Sequence, residues 1–254
     1  MILDQFKING KVALVSGAGT GIGQGICMGL AEAGADIIGV DYSDLAETQA
    51  KIEATGRRFI GITANLTSIE PIPGIIHQAL RQFGHIDILV NNAGIVRRAN
   101  ALDFTEKDWD EVMNHNVKTV FFCSQAVAKQ FIKQGTGGKI INMASIHSFH
   151  GGIQLSSFTA SKSGILGLTR LMANEWAKHN ININAIAPGY MAGEESNPFQ
   201  IDESLSSQDI LSRIPAGRLG VPDDLKGAVV YLASAASRYV NGFTLAIDGG
   251  WLAG

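Results

Sequence analysis

The segment Ser16-Gly17-Ala18-Gly19-Thr20-Gly21-Ile22-Gly23 is the first that could do chemistry. Glycines let the backbone turn tightly and come close to a phosphate, and a helix N-terminus adds N–H donors and the positive end of a dipole. Such a turn is informative when a buried strand leads into it and an amphipathic helix leaves it. Both conditions are met. Lys11-Val12-Ala13-Leu14-Val15-Ser16 is an apolar run without alternation, as expected of a strand buried on both faces. Ile22, Ile26, Leu30 and Ala33 then recur at helical spacing, and Gly34 stops the helix. No Gly-Lys-Ser/Thr ending follows, which disfavours a nucleoside-triphosphate P-loop. Asp41 closes the next apolar run, Asp36-Ile37-Ile38-Gly39-Val40-Asp41. A carboxylate there would hydrogen-bond the adenosine ribose hydroxyls of a dinucleotide and repel a 2′-phosphate, so NAD is expected over NADP.

Arg97 and Arg98 lie just beyond the apolar run Ile86-Asp87-Ile88-Leu89-Val90. A guanidinium suits bidentate recognition of a carboxylate. One of the two is expected to hold an acidic group of the substrate; the alternative is a pair of solvated loop arginines. His147 and His150 follow the run Lys139-Ile140-Ile141-Asn142-Met143-Ala144 on the same rim. His147 is a candidate for substrate contact, against a structural role.

The elements that must position these residues alternate. Further strands are read at Arg58–Thr63, Ile86–Val90, Lys139–Ala144, Ile181–Ile186 and Phe243–Ile247. Helices are read at Ser43–Thr55, Ile72–Phe83, Thr105–Lys133, Ser157–His179 and Asp223–Ala235. Residues 191–206 are polar with little periodicity and read as a loop, within a substrate lid at about 190–213. Strands alternating with helices imply an α/β fold: one doubly wound parallel sheet of about seven strands with helices on both faces. Ligands of such sheets bind outside the carboxyl ends of the strands.

Composition agrees. The 254 residues are 46% hydrophobic and 17% charged, with 30 Gly and 6 Pro, which excludes a disordered, collagen-like or coiled-coil chain. Twenty basic against 23 acidic residues leave a net charge of −3, so neither nucleic acid nor an anionic membrane is expected as a partner. The uncharged stretch Val12–Ala31 has the length of a membrane span, but its clustered glycines and changing period fit strand, turn and helix better. The N-terminus lacks the pattern of a secretory signal. Cys27 and Cys123 fall in apolar helical patterns and read as small buried hydrophobes. The chain is expected to be soluble and cytoplasmic, a single domain over 1–254, with no metal.

The spacing Gly17-x3-Gly21-x-Gly23 differs from the common G-x-G-x-x-G fingerprint and resembles the short-chain dehydrogenase/reductase family. Asn91-Asn92-Ala93-Gly94 after the fourth strand, Asn116 in the long helix, Ser145 after the fifth strand, Lys162, Pro188-Gly189 after the sixth strand and Ile247-Asp248-Gly249-Gly250 are similar to that family's elements. The resemblance covers essentially the whole chain and implies a Rossmann-type fold. It also implies that Gly17, Gly19, Thr20, Gly21, Ile22 and Gly23 hold the pyrophosphate and that Asp41, Tyr42, Asn65 and Leu66 meet the adenosine. Asn92, Ala93, Gly94, Lys162, Pro188, Gly189 and Met191 would line the nicotinamide side. Ser145 would polarise the substrate oxygen, with Asn116 positioning Lys162. Within the family, Gly84-His85-Ile86-Asp87, Arg97-Arg98, Glu106–Asp110 and Met172–Asn180 resemble members that act on acidic sugars. That implies an NAD-linked alcohol–ketone interconversion on a sugar acid, in a homotetramer.

One departure concerns the chemistry itself. The family places its proton-transferring Tyr four residues before the Lys; here that position is Phe158. Losing such a group typically costs about 10²–10⁴ in rate. Three explanations are open: a Tyr exchanged for Phe by design, another group moving the proton (Tyr190 or His147), or cofactor binding without efficient turnover. Asn65 stands where the family has an acidic residue, and Gly193 near where it has a Thr. The Glu194-Glu195-Ser196-Asn197 stretch also departs from the acidic-sugar members. An epimerase or dehydratase on the same fold is disfavoured, because nothing is appended after Gly250 beyond four residues.

Overall fold

The computed structural model describes residues 1–192 and 207–254. Seven parallel strands form one sheet: β1 (Val12–Ser16), β2 (Asp36–Asp41), β3 (Phe59–Thr63), β4 (Ile88–Asn91), β5 (Gly138–Met143), β6 (Ile181–Pro188) and β7 (Thr244–Ile247). Their order is β3-β2-β1-β4-β5-β6-β7, the doubly wound arrangement of a Rossmann-type fold. The helices are α1 (Gly21–Glu32), α2 (Ala46–Ala54), α3 (Ile72–Phe83), α4 (Glu106–Met113), α5 (Thr119–Gln134), α6 (Ser156–Trp176), α7 (Ser207–Arg213) and α8 (Lys226–Ala233).

Successive residues of a strand point to opposite faces, and the two halves of the core follow that rule. Val15, Ile37 and Val90 pack with Ile26 and Leu30 of α1 and with Val229 and Leu232 of α8. Their chain neighbours Leu14, Ile38 and Leu89 pack on the other face with Ile75 of α3, Val127 and Phe131 of α5 and Met172 of α6. This is why β1 reads as a continuous apolar run: all five of its residues are buried.

The strand order reverses between β1 and β4, which are hydrogen-bonded neighbours. Connections leave their carboxyl ends in opposite directions, and the crevice this opens is where ligands of such sheets sit. The glycine turn follows β1 there, and Asn92-Ala93-Gly94 follows β4.

Two elements differ from the periodicity reading. The stretch expected as one helix from Thr105 to Lys133 is α4, a π-helical turn at Asn114–Lys118, and α5. One extra residue in a turn leaves the apolar spacing nearly intact, so periodicity does not report it. The helix expected at Asp223–Ala235 is α8 flanked by 3-10 turns at Pro222–Leu225 and Ala235–Ser237. Of the expected lid, residues 193–206 lie outside the described residues, and with them Gly193 and the Glu194-Glu195-Ser196-Asn197 stretch. Cys27 and Cys123 are buried, and burial raises both thiols, Cys123 to about 12, as suits inert core residues. No described helix is long and apolar enough to cross a membrane.

Candidate active site

The glycine turn is shaped by close approach. Gly17 adopts φ +68, and a Cβ on Gly23 would collide with the Gly17 carbonyl oxygen and come within 2.7 Å of Asn92 Nδ2. The turn and the β4 loop are therefore locked together. Asn92 Nδ2 donates to Gly17 O at 3.0 Å, while the N–H groups of Asn92 and Ala93 both donate to Ser16 Oγ at 3.1 Å. Ser16 is a linchpin that the sequence reading passed over; its place beside the glycines was the available signal. The N-terminus of α1 begins at Gly21, so Thr20, Gly21 and Ile22 present its first N–H groups to the crevice.

Asp41 stands at the carboxyl end of β2 with its carboxylate held from three sides. Oδ2 accepts from Gly19 N at 2.8 Å, and Oδ1 accepts from Ser43 N at 3.0 Å and Ser43 Oγ at 2.9 Å. A carboxylate pinned this way faces any ribose that approaches the turn. Tyr42 beside it is exposed. Asn65 Oδ1 accepts from Thr67 N, closing a local turn. Leu66 turns its side chain into the core with Val40 and Ile62, and its carbonyl accepts from Thr119 Oγ1 at 2.8 Å.

At the carboxyl ends of β4 and β5 the expected catalytic set converges. Asn116 sits in the π-helical turn and is buried. Its Oδ1 accepts from Ile95 N at 2.9 Å and its Nδ2 donates to Ile95 O at 2.9 Å and to Ser161 Oγ at 3.2 Å. The amide thus fastens the β4 loop to α6. Lys162, on α6, donates from Nζ to Met143 O at 2.7 Å, at the end of β5. A Cβ on Gly94 would lie 3.4 Å from Asn116 Oδ1 and 3.7 Å from Lys162 Nζ, so Gly94, Asn116 and Lys162 share one small volume. Ser145 opens a 3-10 turn at Ile146–Ser148, and its Oγ accepts from His147 N at 3.2 Å. That turn is tied to α6 by Ser148 Oγ, which donates to Lys162 O at 2.7 Å.

Phe158 lies one helical turn before Lys162, with its ring centroid 5.7 Å from Lys162 Nζ and 6.2 Å from the His147 ring. The ring thus lies between Lys162 and His147 and has no hydroxyl to offer. Around it is an aromatic wall: His147 packs edge-on at 4.9 Å from His150 and 6.1 Å from Tyr190. The wall is closed by Trp251, whose indole Nε1 donates to His150 Nε2 at 3.0 Å and whose ring lies 4.8 Å from Tyr190. Arg213 of α7 stacks on the same indole at 4.3 Å. Nothing local in the sequence marks Trp251 for this place. Burial, helped by His150 and Arg98, lowers the His147 imidazole to about 4, so it is neutral near pH 7. His115, beside Asn116, is lowered to about 4 by burial and by Lys162.

The two arginines, of which Arg97 is the expected substrate contact, have different surroundings. The Arg97 fork is closed on Glu111 of α4, with Nε at 3.1 Å and Nη2 at 2.8 Å, and its Nη1 donates to Val96 O. A substrate carboxylate would have to displace Glu111 from it. The reach of α4 over the loop decides this, and sequence spacing does not show it. Arg98 is the one whose charge is felt at His147. Asn91, part of the motif that named the β4 loop, points away from the crevice: its Nδ2 donates to Ser124 Oγ at 2.9 Å and Asn142 Oδ1 at 2.8 Å inside the core. Pro188-Gly189 end β6 with Gly189 N donating to Ile247 O, and Met191 is buried, bridged to Gly220.

A family model described as short chain dehydrogenase matches residues 11–203. The chain is 61% identical to the 2-dehydro-3-deoxy-D-gluconate 5-dehydrogenase of Escherichia coli K12, over 100% of both chains. It is 50% identical to the enzyme of the same name from Bacillus subtilis, over 98% of this chain and 97% of that one. Among solved structures it is similar to a gluconate 5-dehydrogenase from Burkholderia cenocepacia in complex with NADP and tartrate, at 38% identity and TM-score 0.93, covering 100% of each.

Proposed function

Because the chain belongs to the short-chain dehydrogenase family and is an NAD(P)-type oxidoreductase, we propose that it interconverts a secondary alcohol and a ketone on a sugar acid of the 2-dehydro-3-deoxy-D-gluconate or 2-deoxy-D-gluconate type, with NAD as its cofactor. The observation that carries this is the volume shared by Gly94, Asn116 and Lys162 at the carboxyl end of β4, with the Ser145 turn tied to α6 through Ser148, beside a phosphate-type glycine turn.

The residues present fit a dinucleotide. The turn at Gly17–Gly23 lets backbone N–H groups reach a pyrophosphate, and Asp41 is held where it would accept from ribose hydroxyls. A nicotinamide bound there would supply or take up the hydride. Ser145 Oγ then hydrogen-bonds the substrate oxygen and polarises it. Lys162, drawn toward Met143 O and backed by Asn116, orients the ribose and supplies positive charge where negative charge develops. One of Arg97 and Arg98 holds the substrate carboxylate; the charge of Arg98 acts on His147, which favours it. Phe158 occupies the proton-transfer position without a hydroxyl, so turnover is slower than a Tyr there would allow. A homotetramer fits the apolar surface left on α6 and at the sheet edge, where Leu171 and Phe243 are exposed.

The test compares the chain with Phe158→Tyr, following NAD reduction with 2-dehydro-3-deoxy-D-gluconate and, separately, with 2-deoxy-D-gluconate. Tyr is expected to raise kcat at least tenfold, with a ceiling of about 10⁴. No turnover by either form on either compound overturns the reading. A second reading, an NAD-binding protein without efficient turnover, rests on Phe158 alone; it requires that Phe158→Tyr bind NADH and leave both substrates untouched.

A further inference from the structure

We propose that Nε2 of His147 is the proton-transfer atom of this active site, in place of the hydroxyl that Phe158 lacks. The inference rests on the dehydrogenase reading above.

Three observations carry it. First, His147 is tied to the group that polarises the substrate oxygen: its backbone N–H donates to Ser145 Oγ at 3.2 Å, so imidazole and hydroxyl stand on one 3-10 turn. Second, its ring packs against the Phe158 ring, 6.2 Å between centroids and steeply tilted, so it borders the place a phenolic oxygen would occupy. Third, the imidazole is only 8% exposed and its Nδ1 has no hydrogen-bond partner among the described residues. A buried polar nitrogen left unpaired costs about 1–3 kcal/mol, a cost that core packing would avoid with an apolar side chain. Nδ1 is also covered by chain, since a Cβ on Gly152 would come within 2.9 Å of it. Nε2 is left as the nitrogen to face a substrate.

The groups around the ring suit the role. His150 packs edge-on at 4.9 Å and Arg98 contributes positive charge, while Phe158 and Tyr190 also pack edge-on against the ring and Gly152 covers its Nδ1 side. Burial keeps the imidazole neutral at pH 7, able to accept a proton. His150 is itself held by the Trp251 indole, which fixes the wall on which His147 rests. In the oxidising direction the substrate O–H bond breaks and its proton moves to Nε2. The carbon loses hydride to the nicotinamide and becomes the ketone, so the alcohol is oxidised and NAD reduced. The imidazolium then returns its proton to water. In the reducing direction Nε2 first takes a proton from water, and the imidazolium then passes it to the substrate oxygen as hydride reaches the carbon. Tyr190 is the competitor, but it lacks the backbone tie to Ser145.

The experiment is a double-mutant cycle of His147→Gln and Phe158→Tyr, with Tyr190→Phe in parallel. If His147 moves the proton, His147→Gln costs at least tenfold more in kcat for the unsubstituted chain than for Phe158→Tyr, where a phenol takes over. Equal costs in the two backgrounds mean that His147 only contacts the substrate, and overturn the proposal. So does a coupling that appears with Tyr190→Phe instead. No turnover by the unsubstituted chain, with Phe158→Tyr active, also overturns it while leaving the dehydrogenase reading intact. If His147→Gln fails to fold, histidine-15N NMR of the unsubstituted chain decides without turnover. Adding the alcohol alone should shift the His147 Nε2 resonance, and an unmoved resonance overturns the proposal.

Discussion

Replacing Asp41 by Asn tests the cofactor assignment most directly. The carboxylate is fixed by Gly19 N, Ser43 N and Ser43 Oγ at 2.8–3.0 Å, so it cannot swing away from an arriving phosphate. A 2′-phosphate on the ribose it faces would stand about 4 Å away, where two unit charges repel by about 1 kcal/mol in water and about 4 kcal/mol at an effective dielectric of 20. Asp41 is half-buried, so about 2 kcal/mol is the working value. Asn removes that repulsion and also weakens the charge-assisted bond to the ribose hydroxyls of NAD by about 1 kcal/mol. The two changes add to about 3 kcal/mol, a swing of roughly a hundredfold in relative affinity. Titrating NADH and NADPH by fluorescence into both proteins reads it. The unsubstituted chain should prefer NADH, and Asp41→Asn should bring NADPH level or ahead. Relatives seen with NADP make the test a sharp one. Equal Kd values for both cofactors in the unsubstituted chain, or a ratio that Asn moves less than threefold, would refute the electrostatic reasoning.

Other outcomes follow from the same geometry. Asn116→Ala strands the N–H and C=O of Ile95, and should lower unfolding free energy by roughly 2–4 kcal/mol in urea titrations as well as slowing turnover. Gly23→Ala forces the turn off Gly17 O, and isothermal titration should find NADH bound at least tenfold more weakly, about 1.4 kcal/mol. Stability should fall on acidification: His115 and His147 lie near 4 when folded and rise toward about 6.5 when unfolded, so the unfolded chain takes up protons in between. Their contribution is full above about pH 6.5 and is lost as pH drops toward 4, with a slope of up to about 2.7 kcal/mol per pH unit that His115→Gln should halve. Urea midpoints at pH 7, 6 and 5 check this, and a flat profile counts against it.

The order of strands and helices, the glycine turn and the place of Asp41 are legible in the sequence because each depends on neighbours along the chain. A strand buried on both faces must be apolar throughout, a tight approach to phosphate needs glycine, and a strand-end carboxylate is fixed by the strand that precedes it. What Arg97 pairs with, and which Asn of Asn91-Asn92 enters the core, depends on elements that arrive from elsewhere. Glu111 closes on Arg97 because α4 folds back over the β4 loop, and Asn91 turns inward because Ser124 and Asn142 meet it there. The π-helical turn that presents Asn116 costs a single extra residue, too small a change for an apolar period to register. Trp251 reaches His150 across 101 residues, and the pairing of β5 with β6 and of β6 with β7 brings the two together at one rim. The sequence by itself determined the scaffold and the chemistry it can carry, since periodicity and turn residues act locally. The tertiary structure alone decided which side chains are left to act, because pairing, burial and charge are settled by contacts far apart in the chain.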